Sequence, residues 1–359
     1  MKVLHVITTI EFGGAENQLK VLVREQVISG LEVHIVYLKG KPELEEHFKQ
    51  SGAQTHDILI GKSFISQVYL LKRFTNSFDG IVHAHLPRAE LLCALVLRNC
   101  KLIVSRHNSE KFFPGSPNHL SKILSRFVEK RSNSVICISN AVKDYMFENK
   151  ELSKHDKVSV IHYGYDREFD ENLSIRKNFD HNSITIGTVG RLVNQKDYPT
   201  LLQAFKQYSN FHTNSQLLIV GNGKLKEELE QLSIQLEISE KVFWYGKTSK
   251  VYEAMQRMDI FVLASKYEGF GLVLLEAIQA QLPVIAANNS AIPEVLGHDS
   301  QGLFKTGDSY DLYMKLLHFT KKENRASLCI QQRQRLEFFN PTDMSCHVEN
   351  VYKKGTLRS

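Results

Sequence analysis

The 359-residue chain is too long for one ordinary hydrophobic core and suits two domains of about 150 to 200 residues each. Its 42% apolar, 23% charged and 9% aromatic side chains exclude a disordered chain, a collagen and a disulfide-dense mini-domain. The net charge of +6 lies wholly in residues 1–165, which hold 22 basic against 16 acidic side chains; this modest excess fits anionic small substrates or an acidic lipid surface, and nucleic acid is not expected as a partner.

The first apolar run, Met1–Ile7, is too short and too soon interrupted for a signal peptide, and it reads as a buried first strand of a cytoplasmic protein. Further strands are expected at Val33–Leu38, Thr55–Ile60, Gly80–Ala84, Leu102–Ser105, Val135–Ile138 and Val158–Ile161. Between them lie stretches of helical period at Ala15–Ile28, Glu43–Gln50, Ile65–Asn76, Arg88–Leu97, Asn118–Arg131 and Ala141–Asn149. A polar stretch at 166–182 without regular period reads as a linker. A second series then starts, with strands at Ile184–Val189, Gln216–Val220, Val242–Tyr245, Ile260–Leu263, Pro283–Ala286 and near Leu303. Its helices are expected at Tyr198–Tyr208, Leu225–Leu236, Ser249–Arg257, Leu272–Gln281 and Tyr310–Phe319, with a last one at Thr342–Lys354. The expected architecture is α/β: two Rossmann-like, doubly wound lobes at 1–165 and 183–338 facing a cleft, with 339–359 as a C-terminal helix able to pack back on the first lobe. No apolar stretch approaches the roughly 20 residues of a membrane span. The cysteines, five in number, are scattered without a C-x-x-C pair, so neither a disulfide framework nor a zinc site is indicated.

The sharpest chemical signal runs from Ser265 through Glu268, Gly269, Phe270 and Gly271 to Leu272, Val273 and Glu276. A strand ends in a glycine loop that opens a helix, so backbone N–H groups and the helix dipole can seat a pyrophosphate. Glu276 falls in an apolar helix, where a carboxylate needs a partner such as a ribose hydroxyl, unless it merely faces solvent. Gly190-Arg191 and Lys196 follow another strand end, and two cations there can neutralise a leaving diphosphate without a metal; alone they would read as a solvated face. Gly13-Gly14-Ala15-Glu16 opens the first helix, and Gly221-Asn222-Gly223 follows a later strand, but neither completes a dinucleotide fingerprint. His83 and His85 end one strand, and Arg106-His107-Asn108 follows the next, so that His85 and His107 can share a site or serve only structure. No D-x-D or H-E-x-x-H occurs, and no metal or other cofactor is expected.

Taken in order, Gly13-Gly14-Ala15-Glu16, His83-Ala84-His85, Arg106-His107-Asn108, Gly190-Arg191 with Lys196, Gly221-Asn222-Gly223, and Glu268-Gly269-Phe270-Gly271 with Glu276 resemble glycosyltransferase family 4, of GT-B fold. The resemblance implies a retaining, metal-independent transferase that moves a sugar from a nucleoside diphosphate, UDP being the family's commonest, to a glycan or lipid-linked acceptor. It implies that Arg191 and Lys196 hold the diphosphate, that Glu276 binds ribose and that Glu268 bonds the donor sugar. Gly271, Leu272 and Val273 would offer N–H groups to phosphate, Lys247 and Thr248 would lie by the base, and Gly14 and Gly223 would approach the donor. His107 matches the family's histidine near the anomeric centre, with His85 on the acceptor side. Two departures stand out: Tyr163-Gly164 replaces the usual Asn-Gly, and Ser290-Ala291 precedes Pro293-Glu294 where the family has Gly-Gly. A sugar-nucleotide epimerase of the same fold and a non-catalytic subunit of a glycan-assembly complex are the rival readings.

Within the basic half, Asn118–Arg131 alternates apolar Leu120, Ile123, Leu124 and Phe127 with basic Lys122, Arg126, Lys130 and Arg131. Either the apolar stripe packs on the first sheet, or this helix, the Lys111–Pro114 loop before it and the basic residues of Ile65–Phe74 meet an anionic membrane surface.

Overall fold

The computed structural model describes residues 1–97, 100–113, 115–166 and 183–354. The chain divides into two compact units, Met1–Asp166 with Phe339–Ser359, and Arg167–Phe338. Nearly all of the expected linker, 167–182, lies outside the described residues.

The first unit is built on β1 (Lys2–Ile7), β2 (Glu32–Tyr37), β3 (Gln54–His56), β4 (Ile81–His85), β5 (Lys101–Arg106), β6 (Ser134–Cys137) and β7 (Val158–Val160). These form one parallel sheet in the order β3-β2-β1-β4-β5-β6-β7. Its inner strands carry near-continuous apolar runs because helices cover both faces. The strand expected over Thr55–Ile60 stops at His56: the edge ladder to β2 ends there, and Leu59 is buried by a turn whose carbonyl accepts from Gln67 Nε2 at 3.0 Å. On one face the C-terminal helix Pro341–Lys354 lies against the helix Gly14–Ile28, and Met344, Val348, Val351 and Tyr352 join Val3, Leu22, Ile81 and Ile103 in one core. Each such buried side chain contributes about 1.5–3 kcal/mol.

The second unit has β8 (Ile184–Val189), β9 (Ser215–Val220), β10 (Val242–Gly246), β11 (Ile260–Leu263), β12 (Val284–Ala287) and β13 (Leu303–Phe304), all parallel, in the order β10-β9-β8-β11-β12-β13. The helix expected over Ser249–Arg257 is the shorter Val251–Met255, and a further helix, Lys322–Arg333, forms where none was expected. Gln332 fastens that helix to the sheet through both its amide atoms, bonded to the N–H and carbonyl of Val284 at 2.9 and 2.8 Å.

In each sheet the strand order reverses at one place, between β1 and β4 in the first and between β8 and β11 in the second. Connections leave such a point in opposite directions and open a crevice beyond the strand ends. The residues singled out above fall mostly on the loops at these two points. Among the described residues, no helix is long and apolar enough to cross a membrane.

Candidate functional site

In the second unit the loop after β8 carries Gly190, Arg191 and Lys196, and the loop after β11 carries Ser265 to Gly271. Gln195 stitches the two together: its carbonyl accepts from Lys266 N–H at 2.8 Å, and its amide donates to the Tyr267 carbonyl at 3.0 Å. Across this seam Lys196 Nζ stands 2.6 Å from Glu268 Oε1, which also accepts from Ser265 Oγ at 2.6 Å. Glu268 is buried, and its N–H donates to Ser290 Oγ at 2.8 Å. Ser290 is therefore a working departure from the family's glycine: it keeps the left-handed backbone, with φ 44°, and adds a hydroxyl that fixes the Glu268 loop.

The helix Leu272–Gln279 starts directly beyond that loop. Gly271 holds its N-terminus at φ 89°, and no side chain caps it, so the first N–H groups, those of Leu272 and Val273 among them, remain for a ligand. Glu276, one turn in, is half-buried and has no hydrogen bond or ion pair among the described residues. Burial pushes its carboxyl above the ordinary value, and Lys196 draws it partly back. It is a carboxylate lacking hydrogen-bond donors, as the ribose reading requires.

Arg191 is exposed and unpaired among the described residues. Its loop is held by the Gly221–Gly223 turn. A Cβ on Gly221 would stand 1.9 Å from the Gly190 carbonyl oxygen, and one on Gly223 2.4 Å from that of Leu192. These glycines thus permit two loops to touch, a packing role that needs no ligand. Lys247, exposed, and Thr248, whose hydroxyl accepts from Lys250 N–H at 2.9 Å, follow the edge strand β10; among the described residues no hydrogen bond or ion pair ties them to the Lys196–Glu268 pair.

In the first unit, Gly14 begins its helix with Gly13 as cap, and the Glu16 carboxylate folds back over Gly13, where a Cβ would meet it at 2.4 Å. The helix N-terminus that glycines seemed to open to a ligand is thus shared with the chain's own carboxylate. Beside it, the parallel register pairs His5 with His83 across β1 and β4. His85, two residues on, faces the same side. His5 Nδ1 is 3.0 Å from His85 Nε2, and His85 Nδ1 is 3.3 Å from His107 Nε2. His107 Nδ1 meets the Tyr163 hydroxyl, so the Tyr-Gly departure also supplies a group the usual asparagine lacks. At the other end His5 Nε2 lies 2.8 Å from Gln26 Oε1, and Gln26 Nε2 donates to Tyr352 Oη at 3.2 Å. His83 closes the set, 2.6 Å from Tyr352 Oη and 2.7 Å from Ser105 Oγ.

Burial holds these rings neutral: His5 falls to about 4, His107 to about 3 with Arg106 adding to the shift, and His83 and His85 lie well below the ordinary value. The ligand atoms of His5, His83 and His85 lie within 4.8 Å of one another, a grouping able to hold a metal, yet each ring nitrogen already has a hydrogen-bond partner. Beside the rings is a recess of about 30 Å³, lined by His85, His107 and Tyr163 on its polar side and by Ile136, Ile161 and Met344 on its apolar side. The buried Gln18 Oε1, without a partner among the described residues, belongs to the same recess, which has room for a water-sized group. Sequence reading found His85 and His107 but missed His5, Gln26 and Tyr352. The spacing of His5 in the first strand was the available signal for His5; Gln26 and Tyr352 are brought there by helix packing.

On the opposite side of β5, Arg106 Nε stands 3.0 Å from Glu90 Oε2 with both side chains buried, and the Phe112 ring lies 4.3 Å from the guanidinium. Phe112 is therefore not a membrane-dipping residue: it shields Arg106, and its N–H donates to Glu151 Oε1 at 3.2 Å. Pro114, from the same expected loop, lies outside the described residues. The helix Asn118–Arg131 turns Ser121, Ser125, Val128 and Glu129 inward, leaving Leu120 42% and Ile123 61% exposed. The other two residues of its apolar stripe, Leu124 and Phe127, are half-buried. Arg131, exposed like Arg126 and Lys130, also donates from its guanidinium to the carbonyls of Ala94 and Leu97 and finishes the neighbouring helix Pro87–Val96.

Residues 12–169 match the family model of Glycosyltransferase Family 4, and residues 169–335 that of glycosyl transferases group 1. An uncharacterized glycosyltransferase of Methanocaldococcus jannaschii is 32% identical over 204 residues, 52% of this chain and 49% of that protein, so the match spans about half the relative's length. A Campylobacter jejuni protein, N-acetylgalactosamine-N,N'-diacetylbacillosaminyl-diphospho-undecaprenol 4-alpha-N-acetylgalactosaminyltransferase, is 23% identical over 324 residues, 84% of this chain and 85% of its own. Among solved structures, Anabaena HepE in complex with UDP and glucose superposes with a TM-score of 0.81 at 18% identity, covering 99% of this chain and 100% of that one. At such identity the likeness is one of fold, and the fold is GT-B.

Proposed function

Because the chain belongs to the family 4 glycosyltransferases, its two family matches running together from residue 12 to 335, we propose that it moves a sugar, with retention and without a metal, from a nucleoside diphosphate to a hydroxyl of a glycan or lipid-linked glycan. The observation that carries this reading is the stitched pair of loops in the second unit, where Lys196, Glu268, the uncapped helix at Gly271 and the unpaired Glu276 meet at the point of strand reversal. Lys196, Arg191 and the N–H groups of Leu272 and Val273 hold the diphosphate, Glu276 takes the ribose hydroxyls, and Glu268 bonds the donor sugar. Lys247 and Thr248 serve the base. The HepE complex with UDP and the undecaprenyl-linked name of the Campylobacter relative support UDP and a lipid-linked acceptor as first choices. His85 and His107 serve the acceptor side.

In the proposed reaction the acceptor oxygen bonds to the anomeric carbon as the bond to the diphosphate oxygen breaks, and the acceptor proton passes to the departing phosphate. Positive charge at the sugar and negative charge on the leaving group both grow, and fixed cations with helix N–H groups stabilise the latter without reorganising. Thermal stabilisation by UDP-, GDP- and ADP-sugars identifies the donor, and transfer is then followed in excess EDTA. The expected product keeps the donor's anomeric configuration at an unchanged rate. An inverted product by NMR, or activity abolished by EDTA and returned by magnesium, overturns the mechanism, whereas free nucleotide released without acceptor points to an epimerase.

The acceptor is proposed to be reached at an anionic membrane surface on the cytoplasmic side. Three helices lie side by side on the first unit, Phe64–Asn76, Pro87–Val96 and Asn118–Arg131. They expose Ile65 at 81%, Tyr69 at 64%, Leu95 at 45% and Ile123 at 61%, accompanied by Lys72, Lys122, Arg126 and Lys130. Each cation near acidic lipid contributes about 1 kcal/mol, screened by salt. Flotation is expected with anionic vesicles, to fade with salt and with Lys122, Arg126 and Lys130 changed to Glu; equal recovery on neutral vesicles leaves a soluble acceptor.

A further inference from the structure

A neutral imidazole offers one donor and one acceptor, so a chain of them has a direction. Gln26 Oε1 only accepts, and the ring facing it, His5, must carry its proton on Nε2 and accept on Nδ1. The same constraint passes to His85, then to His107, whose Nδ1 accepts from Tyr163. On the other branch Gln26 Nε2 donates to Tyr352, the Tyr352 hydroxyl donates to His83 Nδ1, and His83 Nε2–H faces Ser105. Every histidine in the set then carries its proton on Nε2. Rotating the Gln26 amide by half a turn reverses both branches together and puts every proton on Nδ1. A mixed pattern sets two N–H groups or two lone pairs face to face, at about 1–3 kcal/mol for each buried group left unmade.

We propose that Gln26 and Tyr352 are positioning residues that set which ring nitrogen of His107 carries the proton, through His5 and His85. The burial that keeps the rings neutral closes the alternative of relieving a mismatch by protonation. The tautomer of His107 decides whether Tyr163, at the recess, donates its hydroxyl proton to the ring or accepts from it. Its consequence for transfer rests on His107 serving the acceptor side; the tautomer pattern itself does not.

The test is ring ¹⁵N NMR on the full chain labelled at histidine. In the native protein His5, His83, His85 and His107 are expected to share one tautomer, with Nε2 protonated. An ionised glutamate at position 26 accepts from both neighbours, so at a pH above the titration of that buried carboxyl Gln26→Glu keeps His5, His85 and His107 protonated on Nε2 and moves His83 alone to Nδ1. A merely structural role predicts no such split. Should that variant not fold, Tyr352→Phe removes the hydroxyl between branches, and His83 is expected to divide between tautomers while the other three stay aligned. Mixed tautomers in the native protein, or a His83 that keeps its native state in the folded variant, overturn the proposal. On the same samples Gln26→Leu, which leaves both senses open, is expected to lower kcat about twofold with KM unmoved. Native protein that transfers no sugar defeats the transferase reading and leaves the tautomer test readable.

Discussion

Lys196→Ala is expected to lower kcat/KM by about a hundredfold, the largest catalytic loss of any single change in the second unit. Its ammonium is half-buried, 2.6 Å from Glu268 Oε1, and is the group that draws the raised Glu276 carboxyl back down. One alanine thus removes a charge-assisted contact to the proposed diphosphate, worth about 1.5–3 kcal/mol, and at a tenfold rate change per about 1.4 kcal/mol the upper part of that range gives the predicted loss. It also leaves the buried Glu268 without its cation, so the variant is expected to melt lower. Arg191→Ala is the control: exposed and unpaired, Arg191 can be lost with the melting temperature unchanged, while turnover falls about tenfold. Single-turnover rates and melting curves separate the two, and normal turnover in both variants places the phosphate seat elsewhere.

That pair was legible in the sequence because its parts are local. A strand end, a glycine loop and a helix start lie within a dozen or so residues of one another, and each follows from backbone preferences that neighbours hardly alter. Ser265 opens that motif but carried no assigned role for the opposite reason: a serine in a loop has many uses, and only the fold aims it at Glu268. The Gly221–Gly223 turn, expected as an approach to ligand, also brings backbone against backbone, which the fold alone reveals.

The first unit was harder to read. Its histidine set depends on which strands are neighbours, and the β1–β4 pairing that brings His5 to His83 joins segments far apart in the chain. Tyr352 reaches the set only because the C-terminal helix returns to the sheet. The helix Asn118–Arg131 had a clear apolar stripe, for which burial was one of two readings, yet a small, polar face of Ser121 and Ser125 packs inward. Serines allow close approach, and Ser125 Oγ donates to the Glu151 carbonyl at 3.3 Å, so that face satisfies its polar groups while Val128 is its fully buried apolar side chain.

Arg106→Met is expected to destabilise the first unit by about 3–5 kcal/mol near pH 7 and above, and by much less in acid. Burial already lifts the Glu90 carboxyl from 4.5 to about 7, with Arg106 pulling it down and Glu151 pushing it up. Below 4.5 Glu90 is protonated in the folded and the unfolded chain alike and its burial carries no ionisation cost. Between 4.5 and about 7 the unfolded chain releases the proton while the folded chain keeps it, so stability falls as pH rises, by up to about 1.4 kcal/mol per pH unit. Without Arg106 the folded value climbs further, and the fall continues to higher pH. Cys93 and Cys137, the thiols nearest in charge, are themselves held neutral by burial and do not offset it. The double variant Glu90→Leu with Arg106→Met removes the titrating group, and is expected to be more stable than Arg106→Met at neutral pH and to lose the steep slope. Hydrogen exchange along β4 and β5 reads the first unit by itself, because Trp244, the sole tryptophan, reports on the second. A penalty for Arg106→Met that stays the same from acid to neutral pH would show that Arg106 does not govern the titration of Glu90, and would overturn this account of the pair.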